Sequence, residues 1–340
     1  MVAIKLLEES FTLPPDIPAS GRGEWRTGYY SLFITAKRYR VRASEKAFQN
    51  DADAITVLAL HSTSFHKEMW EPTLEALFQV SEERNDSARV KIREVWAVDC
   101  PNHGHAGVLN REILEREAFT PDCEYFCNDI DNWFGWWRVT SIGQGGCELY
   151  AIAIHRFLQN APRIFGIDFS KRKLVGLGHS IGANALWVCG RGGEEPIHHF
   201  FGRLLLQRLQ PNFPFLSLII VEPMVSAGDA HDLDPLRTRL VQSAKRKISE
   251  WPDREAALLY LKTRPGMMRW DERVLKVFVV CGFHLFSMHW LLTAFFWDRI
   301  MRLWNLLQAM LLDSLVPLSR SKLCIIRLSI RYTCRLLLPR

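Results

Sequence analysis

One serine lies in a setting that favours nucleophilic chemistry. The run Gly178-His179-Ser180-Ile181-Gly182 follows four apolar residues and precedes a stretch of small and apolar residues typical of a helix. A serine hydroxyl attacks well only when a base takes its proton and N–H groups receive the charge that develops on the attacked carbonyl oxygen. A sharp strand-to-helix turn exposes the hydroxyl and makes the Ile181 N–H one such donor. The sequence therefore predicts Ser180 as a nucleophile.

The second N–H donor is expected on the segment that follows the apolar run Ile55 to Leu60. This segment reads His61-Ser62-Thr63-Ser64-Phe65-His66, and the backbone N–H of Ser62 or Thr63 is the candidate. Many sites of this type have glycine directly after the histidine, whereas this chain has Ser62. We therefore expect an oxyanion site with a looser geometry.

The acid and the base should follow the serine in the chain. Glu222 ends the apolar run Leu216 to Val221 and is the predicted acid, with Asp229 and Asp234 as competitors. A structural role for Glu222, holding the start of the next segment, is an equal alternative. For the base, the fold of such sites points to a late histidine after the final strand. Only His284 and His289 lie late enough, both fall in an uncharged run rather than after a strand, and His284 is the prediction.

The other histidines fit a base less well. His289 shares the late, uncharged region of His284; His198 and His199 follow the predicted helix after Ser180; and His231 comes soon after Glu222. His103 and His105 belong to the turn DCPNHGH at residues 99–105, and we expect them to order that loop rather than to act as bases.

The spacing of apolar runs predicts the elements that position these residues. Continuous apolar runs are typical of strands buried on both faces of a parallel sheet, and helical stretches between them imply right-handed crossovers. Loops at the carboxyl ends of such strands then carry the chemistry. The predicted strands are Ile55 to Leu60, Val95 to Val98, Leu174 to Leu177 and Leu216 to Val221, with helices at Cys147 to Leu158 and Ile181 to Cys189 and an antiparallel edge within Tyr29 to Val41.

The region from Asp232 to about Val280 reads as helices without a strand. One of them is predicted to start near Asp253, in the segment Trp251-Pro252-Asp253. A helical insertion after the fourth strand would lie over the strand ends as a lid.

Composition narrows the class of protein. The net charge is +6, and the six basic residues of the last 24 account for it, so residues 1 to 316 are neutral overall. No basic stripe with interleaved aromatic residues occurs, which argues against nucleic-acid binding. The acidic residues of MVAIKLLEES argue against a signal peptide, and scattered cysteines favour an intracellular compartment with reduced thiols. No metal and no organic cofactor are predicted.

The chain changes character after Val277. Residues Val277 to Trp297 form an uncharged run of 21 residues, long enough to cross a bilayer as a helix. A buried helix is the favoured interpretation because His284 and His289 lie within the run, and membrane association through 277–297 is the alternative. Leu323 to Tyr332 alternates apolar and polar residues and is predicted as an edge strand.

Five segments together resemble a family. These segments resemble fungal α/β-hydrolases of host-selective toxin biosynthesis, relatives of peroxisomal lipase-like hydrolases. They are FHKEMWEPTLEAL (65–77), DCPNHGH (99–105), GHSIGANAL (178–186), VEPM (221–224) and WDERVLKVFV (270–279). The resemblance covers about residues 25 to 280. It implies an α/β-hydrolase fold over residues 1–280 with a lid at about 224–280.

The resemblance also implies a function. It points to a peroxisomal serine hydrolase or acyltransferase that acts on an ester or thioester of a medium acyl chain, in a pathway to an epoxy-decatrienoic acid toxin moiety. The expected partner is that small acyl substrate. No oligomeric state is predicted.

The sequence departs from this family near Val280. Relatives continue into two more strands, a late catalytic histidine and a peroxisomal tripeptide, whereas here Cys281 replaces a His-Gly pair. Residues 281–340 read as a divergent hydrophobic helix with a basic tail. The tripeptide Ser321-Lys322-Leu323 is internal, and the chain ends Leu338-Pro339-Arg340. The alternative hypothesis is therefore a catalytically impaired protein of the same fold that binds an acyl ligand or a partner.

Overall fold

A computed structural model gives the architecture. It describes residues 4–16, 32–42, 47–48, 50–83, 90–116, 146–186, 213, 215–223, 251–282 and 322–326. These ranges contain the nucleophile turn, the segment after the first predicted core strand and most of the predicted lid. The candidates His198, His199, His231, His284, His289, Asp229 and Asp234 lie outside the described residues.

A seven-stranded sheet forms the centre of the molecule. Its strands lie in the spatial order β1-β2-β4-β3-β5-β6-β7. Strands β1 and β2 run antiparallel to their neighbours, while β4, β3, β5, β6 and β7 pair in parallel. The strands are β1 Leu7–Leu13, β2 Ile34–Arg40, β3 Ile55–Leu60, β4 Ile92–Val98, β5 Lys173–His179, β6 Phe215–Val221 and β7 Lys322–Ile326.

Seven α-helices are described around this sheet. They are α1 Glu71–Glu83, α2 Gly104–Leu109, α3 Arg111–Arg116, α4 Gly146–Phe165, α5 Ile181–Leu186, α6 Arg254–Lys262 and α7 Glu272–Gly282. Short 3₁₀ turns at Lys67–Trp70 and Phe169–Lys171 precede α1 and β5. The predicted doubly wound, mostly parallel α/β-hydrolase sheet is therefore confirmed.

Both faces of the sheet are covered, which explains the continuous apolar runs. Every residue of β3 and β4 is buried. On one face Trp96, Leu58 and Ile220 pack with residues of α4 and α5, and on the other face Val57, Val95 and Ile219 pack with α1. Because parallel strands with buried faces have their carboxyl ends at the same edge, the loops after β3, β4, β5 and β6 converge there.

Helices α6 and α7 make a smaller core of their own. Trp270, Val274 and Phe278 pack with Phe65 and Met69, which belong to the segment that follows β3. The predicted start of α6 is confirmed, since Asp253 is its N-cap and accepts a hydrogen bond from the Ala256 N–H at 2.7 Å. The described part of the predicted lid thus packs on the loop that carries the predicted oxyanion donors.

Several boundaries differ from the predictions. Strand β4 begins at Ile92, three residues before the predicted start, because Arg93 and Glu94 are polar and yet buried. Helix α4 runs to Phe165, beyond the predicted end at Leu158. Strand β1, which alternates in burial and pairs with β2, was not predicted.

The late part of the chain contributes to the sheet. Strand β7 overlaps the predicted strand at Leu323 to Tyr332 and pairs with β6, so residues beyond 280 belong to the same sheet. Helix α7 ends at Gly282, within the uncharged run, and residues 283–297 lie outside the description. Within the described ranges, no helix combines the length and the hydropathy that a membrane crossing requires.

Candidate active site

Ser180 occupies the turn between β5 and α5. Its φ is +52°, in the left-handed region that residues other than glycine rarely adopt. The Ser180 N–H donates to the carbonyl of Val221 on the neighbouring strand at 2.9 Å, and the Ser180 carbonyl accepts from the Asn184 N–H at 2.9 Å. These two bonds fix the backbone in a strained turn, and strain of this kind concentrates at functional sites.

Close packing at Gly182 brings this turn against the end of β3. A Cβ added at Gly182 would lie 2.4 Å from the Leu60 carbonyl oxygen and 2.7 Å from that of His61. Gly178 is equally constrained, since its Cβ would lie 2.6 Å from the Gly182 carbonyl oxygen. Only glycine permits these approaches, so the spacing of the two glycines places Ser180 beside the segment His61–His66.

The His61 ring holds the backbone of that segment. The Cys100 N–H donates to Nε2 at 3.0 Å, which puts the ring proton on Nδ1, and Nδ1 donates to the Ser62 carbonyl at 2.8 Å. Across a planar trans peptide the carbonyl and the next N–H point in opposite directions, so the Thr63 N–H points away from His61. The bond thus fixes the direction of the Thr63 N–H, and both Ser62 and Thr63 stay predicted donors.

Burial keeps His61 neutral. Burial lowers its pKa to about 4, even though the Asp99 carboxylate acts in the opposite direction. Tyr150 supports the same position from α4: its hydroxyl accepts from the His61 N–H at 3.1 Å and donates to the Val98 carbonyl at 2.7 Å. One hydrogen-bond arrangement of the ring therefore persists across the neutral pH range.

A buried ion pair joins this segment to the loop after β4. The Asp99 carboxylate accepts from the Lys67 N–H at 2.8 Å, from Lys67 Nζ at 2.7 Å and from the Thr35 hydroxyl at 2.8 Å. Burial acts to lower the pKa of Lys67, but the attraction of Asp99 and Glu68 outweighs it and the pKa is raised. Lys67 therefore stays charged, and its bonds to Asp99 hold two strand-end loops together.

The buried His66 and the partly buried Glu68 form a second pair. His66 Nδ1 lies 2.9 Å from a Glu68 carboxylate oxygen, and the ring stacks over Phe278 of α7, which belongs to the predicted lid. Burial acts to raise the pKa of Glu68, yet the bonds from His66 and Lys67 hold it well below its ordinary value. Sequence reasoning missed this pair because a His-x-Glu spacing is common and has no distinctive pattern.

Glu222 lies next to Ser180 at the sheet edge. His179 pairs with Val221 across β5 and β6, so Ser180 and Glu222 follow paired residues on adjacent strands. Glu222 also has a left-handed φ, +44°, and both of its carboxylate oxygens are buried. The position agrees with a predicted acid at the strand end, and the catalytic role itself remains a prediction.

The described histidines differ in their surroundings. His103 is the N-cap residue of α2, and its Nδ1 lies 2.6 Å from the Asn102 side-chain oxygen. His105 is exposed, and burial lowers the pKa of His179 to about 3. Within the described part of the chain, no histidine makes a hydrogen bond to the Ser180 hydroxyl, and no three His, Cys, Asp or Glu residues group as metal ligands. The predicted base His284 lies outside this part.

Comparison with known proteins gives the family. The sequence profile described as "Alpha/beta hydrolase family" matches residues 57–326, from within β3 to the last residue of β7. The chain belongs to the alpha/beta hydrolase family. The match continues beyond residue 280, where the motif resemblance ended, and it agrees with the position of β7 in the sheet.

Two relatives of this alpha/beta hydrolase are informative. Over 229 residues it is 24% identical to the "Type I acyl-CoA thioesterase mpaH" of Penicillium roqueforti, a match that covers 65% of this chain and 38% of that protein. Its fold is similar to that of the peroxisomal alpha-beta-hydrolase Lpx1 from Saccharomyces cerevisiae, with a TM-score of 0.51, 17% identity, and coverage of 94% and 74% of the two chains. The chain thus has a distant thioesterase relative and a peroxisomal structural neighbour, while its match spans well under half of the curated relative.

Proposed function

We propose that this alpha/beta hydrolase is a serine hydrolase that cleaves an acyl ester or thioester. The observation that carries the proposal is the strained Ser180 turn, packed through Gly182 against the carbonyls of Leu60 and His61. We infer that this packing brings the Ser180 hydroxyl beside the backbone amides of the segment after β3, the proposed oxyanion donors. Such an arrangement is what acyl transfer through an oxyanion requires.

The mechanism has two half-reactions. The Ser180 hydroxyl oxygen attacks the acyl carbonyl while a histidine takes its proton, and the resulting oxyanion receives hydrogen bonds from the Ile181 and Thr63 N–H groups. The intermediate then expels the alcohol or thiol, which takes the proton from the histidine. Water, activated by the same histidine, hydrolyses the acyl-enzyme. Glu222 is proposed to orient that histidine, for which His284 is the candidate.

The thioesterase name of the relative and the apolar packing of the lid support the substrate class. Phe65, Trp270 and Phe278 form an aromatic cluster between the segment after β3 and α7, with ring centroids about 6 Å apart. A lid with such a face would exclude water from an acyl-enzyme and would contact an apolar chain. A medium acyl chain is therefore proposed, with transfer to an acceptor other than water as a variant.

A place in the biosynthesis of a host-selective toxin, in the peroxisome, is the finer proposal. Its support is the motif resemblance of residues 65–77, 99–105 and 270–279, together with the peroxisomal structural neighbour. Deletion of the gene in the producing fungus should abolish the epoxy-decatrienoic product, and a tagged protein should co-migrate with peroxisomes. Unchanged product would contradict the pathway assignment.

A panel of acyl thioesters and p-nitrophenyl esters of four to sixteen carbons tests the chemistry. We expect turnover that peaks at a medium length and falls to the background rate in Ser180→Ala, because the variant lacks the attacking oxygen. Equal rates for the protein and for Ser180→Ala would refute the proposal.

A second candidate is an acyl-binding protein without turnover. The departure of the sequence from its motif relatives near residue 280, where Cys281 replaces a His-Gly pair, favours it. Equilibrium dialysis with a medium-chain acyl thioester would then show binding without release of thiol, in Ser180→Ala as in the unaltered protein.

A further inference from the structure

Four buried polar atoms lie within five consecutive residues after β3. The hydroxyls of Ser62, Thr63 and Ser64 and the Nε2 of His66 are closed off from solvent and have no hydrogen-bond partner in the described part of the chain. Ser62 and His66 are fully buried, and Ser64 is 6% exposed. Since native proteins pair nearly all buried polar groups, four such atoms in one short segment indicate a surface adapted to a polar ligand.

The segment adjoins the Ser180 turn and lies beneath the lid. The carbonyls of Leu60 and His61, which directly precede the segment, contact the position of Gly182. The Phe65 ring lies 6.3 Å from the ring of His179, one residue before Ser180. On the other side, Phe65 packs against Phe278 of α7. A ligand group that reached these atoms would therefore lie close to the scissile carbonyl.

His66 is buried with one ring nitrogen paired and the other without a hydrogen-bond partner in the described part of the chain. Its Nδ1 is occupied by the Glu68 carboxylate at 2.9 Å. The other edge faces Gly282 of α7, where even an added Cβ would remain 3.5 Å from Nε2. Because Gly282 has no side chain, a single added carbon would fit between α7 and the Nε2 edge, although Nε2 is closed off from solvent in this structure.

The chemistry of the segment suits an uncharged hydroxyl group. Its polar atoms are three hydroxyls and an imidazole nitrogen, which offer both donors and acceptors. The neighbouring cation, Lys67, already lies 2.7 Å from an Asp99 oxygen and 2.8 Å from a Glu68 oxygen. A carboxylate ligand would find no unpaired positive charge at this point of the described structure, whereas a hydroxyl finds several partners.

We propose that residues 62–66 bind a hydroxyl group carried by the acyl chain within a few carbons of the scissile carbonyl. The inference rests on the proposed hydrolase function and gives its substrate class: hydroxyacyl esters or thioesters rather than plain alkanoyl ones. A site built to hydrogen-bond a substrate hydroxyl rejects the analogue that lacks it, because its own buried polar groups then stay unpaired.

The test compares matched thioesters of N-acetylcysteamine, decanoyl and its 2-, 3- and 4-hydroxy forms, with thiol release as the readout. We expect kcat/KM for the preferred hydroxy form to exceed that for decanoyl by about tenfold or more. Ser62→Ala and Thr63→Val, which retain the backbone N–H groups, should lower this ratio toward one. Both should also raise the melting temperature, because each removes a buried hydroxyl without a partner.

Ser81→Ala is the matched control. The Ser81 hydroxyl is buried on α1 and donates to the Val90 carbonyl at 2.9 Å, so its loss should lower the melting temperature and leave the ratio unchanged. If the unaltered protein turns over decanoyl thioester but its kcat/KM for every hydroxy form is about the same, the hydroxyl-binding inference is wrong while the proposed hydrolase function stands. A Ser62→Ala variant that melts lower and keeps the ratio would overturn the same inference. Absence of turnover with every thioester would instead refute the proposed function.

Discussion

A methyl group at position 182 should move the predicted nucleophile Ser180 away from the segment His61–His66, which carries the predicted oxyanion donors. In Gly182→Ala the new Cβ would lie 2.4 Å from the Leu60 carbonyl oxygen, 2.6 Å from the Leu60 carbonyl carbon and 2.7 Å from the His61 carbonyl oxygen. All three atoms belong to the backbone and cannot rotate away as a side chain would. Ordinary van der Waals contact begins at 3.4 Å, so the turn and the end of β3 must move apart by about 1 Å.

This displacement gives the size of the effect. A misplacement of about 1 Å between reacting groups can cost about 100-fold in rate, which corresponds to about 3 kcal/mol of transition-state stabilisation. We therefore expect kcat/KM of Gly182→Ala on a medium-chain thioester to fall by about 100-fold. Most of the loss should fall on kcat, because the oxyanion forms only after attack.

Gly176→Ala provides the matched control. Its Cβ would also be crowded, at 2.7 Å from the Leu218 Cδ2 and 3.1 Å from the Leu186 Cδ1, but both atoms are ends of side chains that can repack. We expect a loss of stability of about 1–3 kcal/mol by urea denaturation and a kcat/KM within about threefold of the unaltered protein. A folded Gly182→Ala protein with unaltered kcat/KM would refute the reasoning, as would equal losses of activity in both variants.

Three further predictions concern the residues that support the site. Lys67→Met leaves the buried Asp99 carboxylate without its cation, so urea denaturation should show a loss of about 3–5 kcal/mol, and a loss below 1 kcal/mol would contradict this role of Lys67. Tyr150→Phe removes the hydroxyl that bridges the Val98 carbonyl and the His61 N–H and should cost about 1–3 kcal/mol, with a lower kcat; unaltered stability would argue against the bridge. Burial holds the pKa of His61 at about 4 and that of His179 at about 3, below the ordinary value of 6.5, so the unfolded chain takes up protons first as the pH falls. The free energy of unfolding should therefore decrease from about pH 6.5 toward pH 4, and equal values at pH 7 and pH 5 would exclude this linkage.

The sequence allowed the central strands and the serine turn to be predicted because local rules govern them. Apolar runs indicated β3, β5 and β6 to within two residues, since strands buried on both faces contain few polar residues. The start of β4 was missed because its polar residues are buried through specific partners. Arg93 donates to the Phe48 carbonyl at 3.0 Å, and a Glu94 oxygen lies 3.4 Å from the Thr56 hydroxyl. These partners are distant in the chain.

The hydrogen bonds and ion pairs that hold the candidate site join residues far apart in the chain, so no local sequence pattern predicts them. His61 and Cys100 are 39 residues apart, and Lys67 and Asp99 are 32 apart, yet parallel pairing of β3 with β4 brings each pair together. Ser180 and Glu222 could be placed from the sequence because each directly follows a predicted strand. The contact between His66 and Glu68 could be identified only from the structure. The predicted base remains a prediction because His284 lies outside the described residues.

Covalent labelling of Ser180 tests the central claim most directly. Purified protein would be treated with a fluorophosphonate, digested and mapped by mass spectrometry, with Ser180→Ala treated in parallel. A hydroxyl activated at this turn should carry the phosphonyl adduct at Ser180 and at no other serine, and the variant should remain unlabelled. A folded protein that stays unmodified at Ser180, or that is labelled equally in the variant, would contradict the assignment of Ser180 as the nucleophile.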